Sequence, residues 1–371
     1  MGKFKKNIVR PNIFDYNIAV FGSKGVGKTT LAYNVCRKTV GDDYVIFNCG
    51  KEDGVKALPD ANYYDCPTWE EFSEVIDEIV DERTTDEDYK KLKVVVLDTI
   101  DEIFNMAENF VIKLSNRKNP QKKATTINEA FSGFGAGLKK TEELVLDALW
   151  RLKSVGISIF VIGHVKNKTM TDVVNDCEYE IITSNLSNRY FDNIANKMDV
   201  IGICYVDRDV ITEKTHRKDI KGRTIEKNVI ANEARKICFR SDDYVADCKS
   251  RFPTIASTID MDSDMFIETI ESAIQNLIDN SSMSKKDIEK HYDGVHKEEQ
   301  KRLADEAENK KKQKELDDTI NNIVMFFTDN RDNRDILKPI MKAIKDMGYT
   351  SPKEIDNIDD ADKIMKLIDE A

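Results

Sequence analysis

Short apolar runs punctuate the first two thirds of the chain, and stretches with apolar residues at helical spacing lie between them. The runs at Tyr16 to Phe21, Tyr44 to Cys49, Lys93 to Asp98, Ile157 to Gly163, Val200 to Val206 and Lys236 to Arg240 predict strands. The middle runs are apolar throughout instead of alternating, which is the pattern of strands covered on both faces. Trp69 to Val80 sets Phe72, Val75, Ile76 and Ile79 on one helical stripe, and Thr141 to Leu152 sets Leu144, Val145, Ala148, Leu149 and Leu152 on another. Strands alternating with amphipathic helices predict an α/β fold, a doubly wound and mainly parallel sheet flanked by helices.

The pattern changes near Ser281. From there to Leu316 the chain mixes Lys, Glu and Asp with few apolar positions and holds no heptad, so a charged linker or solvated helix is expected and a coiled coil is not. Ile320, Ile323, Val324 and Phe327 then form one helix face, and Ile336, Leu337, Ile340, Met341 and Ile344 another. Gly348 reads as a C-cap, and Ser351-Pro352-Lys353-Glu354 as a capping box with Pro at the first helical position. The expected divisions are an N-terminal arm at 1–13, an α/β core at 14–280, a charged linker or helix at 281–316 and a small helical domain at 317–371.

With 371 residues, 40% of them hydrophobic, the chain can bury a large core. A net charge of −11 excludes a histone-like binder and argues against attraction to anionic membranes. A local basic channel remains compatible with it, because association responds to local potential. The seven cysteines are scattered with no C-x-x-C pair, and the four histidines lack zinc spacing, so a reducing, cytoplasmic setting is expected. No apolar stretch approaches the ~20 residues that span a bilayer, and no membrane association is expected.

One segment carries specific chemistry. Gly22-Ser23-Lys24-Gly25-Val26-Gly27-Lys28-Thr29 fits G-x-x-x-x-G-K-[ST], between a predicted strand and a helix that continues through Thr30. Glycines let successive N–H groups turn inward around an anion, and the helix N-terminus adds positive potential. Lys28 would reach the β- and γ-phosphates of ATP, and the Thr29 hydroxyl would bind Mg²⁺. A hydrophobic strand ending in an acid, Val94 to Asp98, supplies the second metal group. Asp101 and Glu102 read as first-turn acids that favour a helix dipole. Glu52, with Asp53 as rival, follows the second strand and would orient the attacking water. His164 closes a central strand and would sense the γ-phosphate. Lys249 and Arg251, at i and i+2, would point to one side and reach a neighbouring subunit's γ-phosphate.

The order of these elements resembles the RecA-like P-loop ATPases, most closely the compact phage-encoded RecA-like proteins of single-strand annealing and recombination. The resemblance covers roughly Phe14 to Pro253. It implies ATP and Mg²⁺ as cofactors, ATP hydrolysis, single-stranded DNA as a partner, and a homo-oligomer with nucleotide between subunits. For a phage-encoded chain it implies the host cytoplasm, with a single-strand-binding or other recombination protein held by the C-terminal domain. Two segments suit the DNA. Arg117 to Lys123 leads into Phe131-Ser132-Gly133-Phe134, basic residues followed by aromatics among glycines. Lys166-Asn167-Lys168-Thr169 stands where the family carries a DNA-contacting loop. The basic stretch from Lys214 to Lys227, with Gly222 at its centre, reads as a hairpin tip. Two other readings of the glycine loop are a nucleotide-gated, protein-binding adaptor without DNA and a small-molecule kinase, for which no acceptor signature is present.

Overall fold

In the computed structural model of the chain, the described residues are 8–51, 54–172, 176–218, 224–241, 245–281, 285–331 and 333–369. The chain divides into two compact units, one ending at Val295 and one beginning at His296.

The first unit is built on one sheet. Its strands are β1 (Ile18–Gly22), β2 (Tyr44–Cys49), β3 (Tyr63–Cys66), β4 (Val94–Asp98), β5 (Ser158–Asp172), β6 (Cys177–Ser184), β7 (Val200–Lys218), β8 (Thr224–Cys238), β9 (Lys249–Ser250) and β10 (Thr258–Asp260). In space they run β10-β8-β7-β1-β5-β4-β2-β3, with β6 bonded to β5 and β9 to β7. The central pairs are parallel, and β6, β8, β9 and β10 pair antiparallel. Every residue of β1 and β4 is buried. Their continuous apolar runs follow from helices on both faces.

The helices of this unit are α1 (Lys28–Val40), α2 (Trp69–Asp81), α3 (Glu87–Lys91), α4 (Ile100–Lys118), α5 (Ala136–Ser154), α6 (Asn188–Lys197) and α7 (Ser263–Asp279). Leu31 and Val35 of α1 and Phe266 and Ile270 of α7 share a core with Val94, Val96, Phe160 and Ile162 on one face. On the other face Phe47 meets Phe72 of α2 edge to face, and Phe21 meets Phe191 of α6. The α2 stripe predicted by spacing is the buried one, and Thr68 caps the helix by accepting the Glu71 N–H.

Two strands outrun their predicted ends. β5 continues past Gly163 to Asp172, and β7 past Val206 to Lys218, each folding back on β6 or β8. The expected loop Lys166 to Thr169 is therefore strand, opposite Thr183 to Glu180. Antiparallel pairing satisfies its backbone, while exposure of the hairpin keeps its side chains polar and hides it from an apolar pattern. The hairpin expected near Gly222 is formed by β7 and β8, and its turn at 219–223 lies outside the described residues.

Helix α8 (Lys285–Asp329) runs through the charged stretch, followed by α9 (Arg334–Asp346) and α10 (Ile358–Asp369). Within the first unit, Ile288 joins the main core and the Tyr292 hydroxyl donates to Asp15 Oδ1 at 2.8 Å. The second unit buries Leu316, Ile323, Ile340, Ile344, Ile355, Ala361 and Ile364 together. The expected capping box at Ser351 is a single 3-10 turn, Pro352–Glu354. The Glu354 carboxylate accepts from Thr350 instead, and the chain re-enters a helix only at α10, where Asn357 accepts the Asp360 N–H. Among the described residues no helix is long and apolar enough to cross a membrane.

Candidate functional site

The glycine loop joins β1 to α1 at the carboxyl end of the sheet, between His164 and Cys204, the register partners of Gly22. A Cβ on Gly22 would lie 2.9 Å from both Cys204 Cβ and Cys204 O, so only glycine admits this approach of loop to strand. Gly27, at φ 109°, is in the left-handed region as it caps α1. Val26 is buried and anchors the loop, while Ser23, Lys24 and Gly25 face solvent. No side chain caps α1, so its first N–H groups, at Lys28, Thr29 and Thr30, could receive an anion. Lys28 is only 6% exposed and donates to Gly22 O at 2.8 Å and Ser23 O at 3.0 Å, which holds its ammonium at the loop's mouth. Burial pushes the neighbouring Cys204 thiol up to about 12, against a smaller downward pull from the Lys28 charge.

Thr29 Oγ1 donates to Asp98 Oδ2 at 2.7 Å, joining the first turn of α1 to the tip of β4. Two buried oxygens near this pair in the sequence and sheet, Asn48 Oδ1 and Thr99 Oγ1, have no hydrogen-bond partner. Asn48 stands opposite Asp98 in register, and its Nδ2 donates to Asp65 Oδ1 at 2.6 Å. A carboxylate only accepts, so the amide nitrogen is fixed toward Asp65 and Oδ1 is fixed away from it. Hydroxyl, carboxylate and amide oxygens suit a hard cation that keeps several of its waters. Among the described residues no three His, Cys, Asp or Glu side chains form a metal cage. That donor set fits magnesium, which uses one or two protein oxygens and takes the rest from water and phosphate. Thr29 and Asp98 are the residues that would hold it.

Asp101 is a structural anchor as well as a first-turn acid. It is 8% exposed, and its carboxylate accepts the His164 backbone N–H at 2.8 Å and Asn185 Nδ2 at 3.1 Å, with His164 Nδ1 3.6 Å away. Burial raises its pKa, but the His164 and Asn185 bonds outweigh burial and hold the carboxyl below its ordinary value. The start of α4 is thereby fixed to the point where β5 leaves the sheet as a hairpin. Glu102 packs on the end of β2, where a Cβ on Gly50 would lie 2.5 Å from Glu102 Oε2.

The fold brings Gly22 to Thr30, Asp98 and His164 to one end of the sheet. Glu52 and Asp53 lie outside the described residues. Gly54, which follows them, packs on the site: a Cβ there would lie 3.3 Å from Thr29 Oγ1. Lys249 and Arg251 do not converge with the others. Lys249 and Ser250 pair with Ile201 and Val200, at the amino end of β7. Val200 is four residues, roughly 13 Å, from the Cys204 beside the glycine loop. Lys249 Nζ donates to Ala195 O at 2.6 Å, and Arg251 Nε lies 3.1 Å from Asp199 Oδ1. Both point to one side, as their spacing predicts, but toward the end of α6.

Basic and aromatic residues do meet between α4 and α5. Lys118, Lys122, Lys123 and Phe131 line a cavity of about 250 Å³, with Lys118 Nζ 5.6 Å from the Phe131 ring centroid. Ser115 Oγ accepts the Phe131 N–H at 2.8 Å. Phe131 and Phe134 both have φ 53°, a left-handed conformation costly for aromatic residues, and Phe134 is fully exposed.

Asn48 and Asn185 were not singled out from the sequence. The rule that singles out His164, a polar residue ending an apolar strand, also finds Asn48. Asn185 carries no local signal, because hairpin pairing places it beside Asp101.

A family model described as AAA domain matches residues 15–229. No curated protein sequence matches the chain. Among solved structures the chain is similar to one described as a prototypical ATPase from the type III secretion system of pathogenic bacteria, with 14% identity, 51% of this chain and 50% of that chain covered, and a TM-score of 0.30. The chain thus spans about half the length of that ATPase. Because the family match takes in both nucleotide motifs and more than half of the residues, the chain belongs to the AAA domain family and carries an AAA-type P-loop ATPase domain.

Proposed function

We propose that the chain is a magnesium-dependent ATPase that acts on single-stranded DNA, of the RecA-like kind used in phage recombination and annealing. The observation that carries the ATPase reading is the 2.7 Å bond between Thr29 and Asp98 beside the buried Lys28 ammonium. Bound magnesium would neutralise charge on the phosphate oxygens. The α1 N–H groups would cradle the phosphates, Lys28 would exchange its two carbonyl partners for phosphate oxygens, and Asp98 would orient the metal's waters. His164, held by Asp101, stands across from the loop to read the terminal phosphate. Glu52 is the proposed water-positioning acid, and the packing of Gly54 on Thr29 supports it.

The DNA reading is supported by the lysine and phenylalanine cavity between α4 and α5. Nucleotide held between copies of the chain is part of the same proposal. A role for Lys249 and Arg251 across that contact requires each to leave its present partner, Ala195 O and Asp199. The C-terminal unit, with a core of its own, is the part proposed to hold a second recombination protein. Cys36, Cys49, Cys66, Cys204, Cys238 and Cys248 are free thiols, which supports a reducing cytoplasm.

The test is phosphate release from ATP with and without magnesium and an oligothymidine. Turnover should require magnesium, rise with the oligonucleotide, and fall at least about a hundredfold in Lys28→Ala. Unchanged turnover in that variant overturns the nucleotide assignment. Turnover indifferent to DNA, with no oligonucleotide bound at low salt, overturns the DNA part alone.

A further inference from the structure

The nucleotide reading leaves one side of the glycine loop without an assigned role. Thr29, Asp98 and His164 lie at the loop and on β4 and β5, so the terminal phosphate and metal belong on that side. The sheet order puts β7, β8 and β10 on the other side of β1. A nucleotide whose γ-phosphate faces β5 therefore directs its nucleoside toward β8 and β10.

Arg235 of β8 stands there. A Cβ on Gly27 would lie 3.5 Å from Arg235 Nη1 and 3.7 Å from the Met261 methyl. The Met261 N–H donates to Arg235 O at 2.8 Å, so one backbone bond sets both side chains against the first turn of α1. Other cations of the hairpin are paired across it, Arg208 with Glu233 at 3.0 Å and Lys236 with Asp207 at 2.8 Å. The Arg235 guanidinium is exposed and makes no hydrogen bond or ion pair with another described residue.

We infer that Arg235 and Met261 form the nucleoside clamp of this site, the guanidinium plane stacking on the base and the thioether packing beside it. A phosphate alone would call for donors around it. A flat delocalised cation next to a polarisable apolar group suits an aromatic ring. The clamp rests on the nucleotide reading and adds to it that the root of the β7–β8 hairpin touches the ligand.

Calorimetric titration of the full chain with magnesium and either ATP or inorganic tripolyphosphate tests this. Arg235→Ala should weaken ATP about tenfold and leave tripolyphosphate within about twofold. Met261→Ala should move ATP in the same direction by less, and Arg235→Lys should recover less than half of the loss. Arg235 is exposed, so its replacement leaves the core intact. Unchanged ATP affinity in Arg235→Ala overturns the clamp, and so does equal weakening of both ligands, which would make Arg235 a phosphate contact. A wild-type protein that binds neither ligand overturns the nucleotide reading itself, without reference to Arg235.

Discussion

At the scale of single residues, Asp101 shows how burial turns an ordinary helix-start acid into a joint. Its carboxylate accepts from the His164 backbone and the Asn185 side chain. Asp101→Asn keeps the shape but turns an NH₂ toward one of two donors. A loss of about 1–3 kcal/mol at neutral pH is expected in urea denaturation. The pH dependence carries the sign of a depressed carboxyl: its contribution is complete above the ordinary value of 3.8 and is lost as pH falls through the lower folded value. The gap between wild type and variant should therefore close only below that ordinary value. Much at this scale was legible. The glycine loop, Lys28, Thr29, Asp98 and His164 each carry a local signal, because each is marked by residue type at the end of an apolar strand or in the turn and helix that follow. The partner of His164 carried none, since nothing in a helix's first turn says which strand end it will face.

At the scale of elements, the connection from α4 to α5 gathers Lys118, Lys122, Lys123 and Phe131 around one cavity and leaves Phe134 exposed three residues further on. Lys122→Ala with Lys123→Ala should lower the slope of log affinity against log salt for an oligonucleotide by about 1.4, near 0.7 per phosphate contact on a single strand. Phe134→Ala should leave that slope unchanged and weaken binding about tenfold, since the ring is fully exposed and would act by stacking. A fluorescence titration across several salt concentrations separates the two. The β5–β6 hairpin was the least legible element. The inner half of β5 is an apolar strand of the core, while its outer half, Lys166 to Thr169, is polar throughout and reads as loop.

At the scale of the whole molecule, two units with separate cores should melt separately. The small core of the second unit leaves it little stability in reserve. Differential scanning calorimetry should show two transitions, with ATP and magnesium raising only that of the first unit. Ile344→Ala removes a fully buried side chain from the second unit, a loss of about 2–5 kcal/mol. It should abolish or lower that unit's transition and leave the other in place.

Taken alone, the amino-acid order determined the layered α/β core and its strand, glycine loop and helix, because periodicity and glycine placement act within a few residues of each other. Only tertiary structure decided that β5 runs on as a hairpin, that Lys249 and Arg251 sit at the far end of the sheet, and that Arg235 comes to the glycine loop. Those outcomes depend on which strands pair, and pairing is set by backbone hydrogen bonds between segments far apart in the chain.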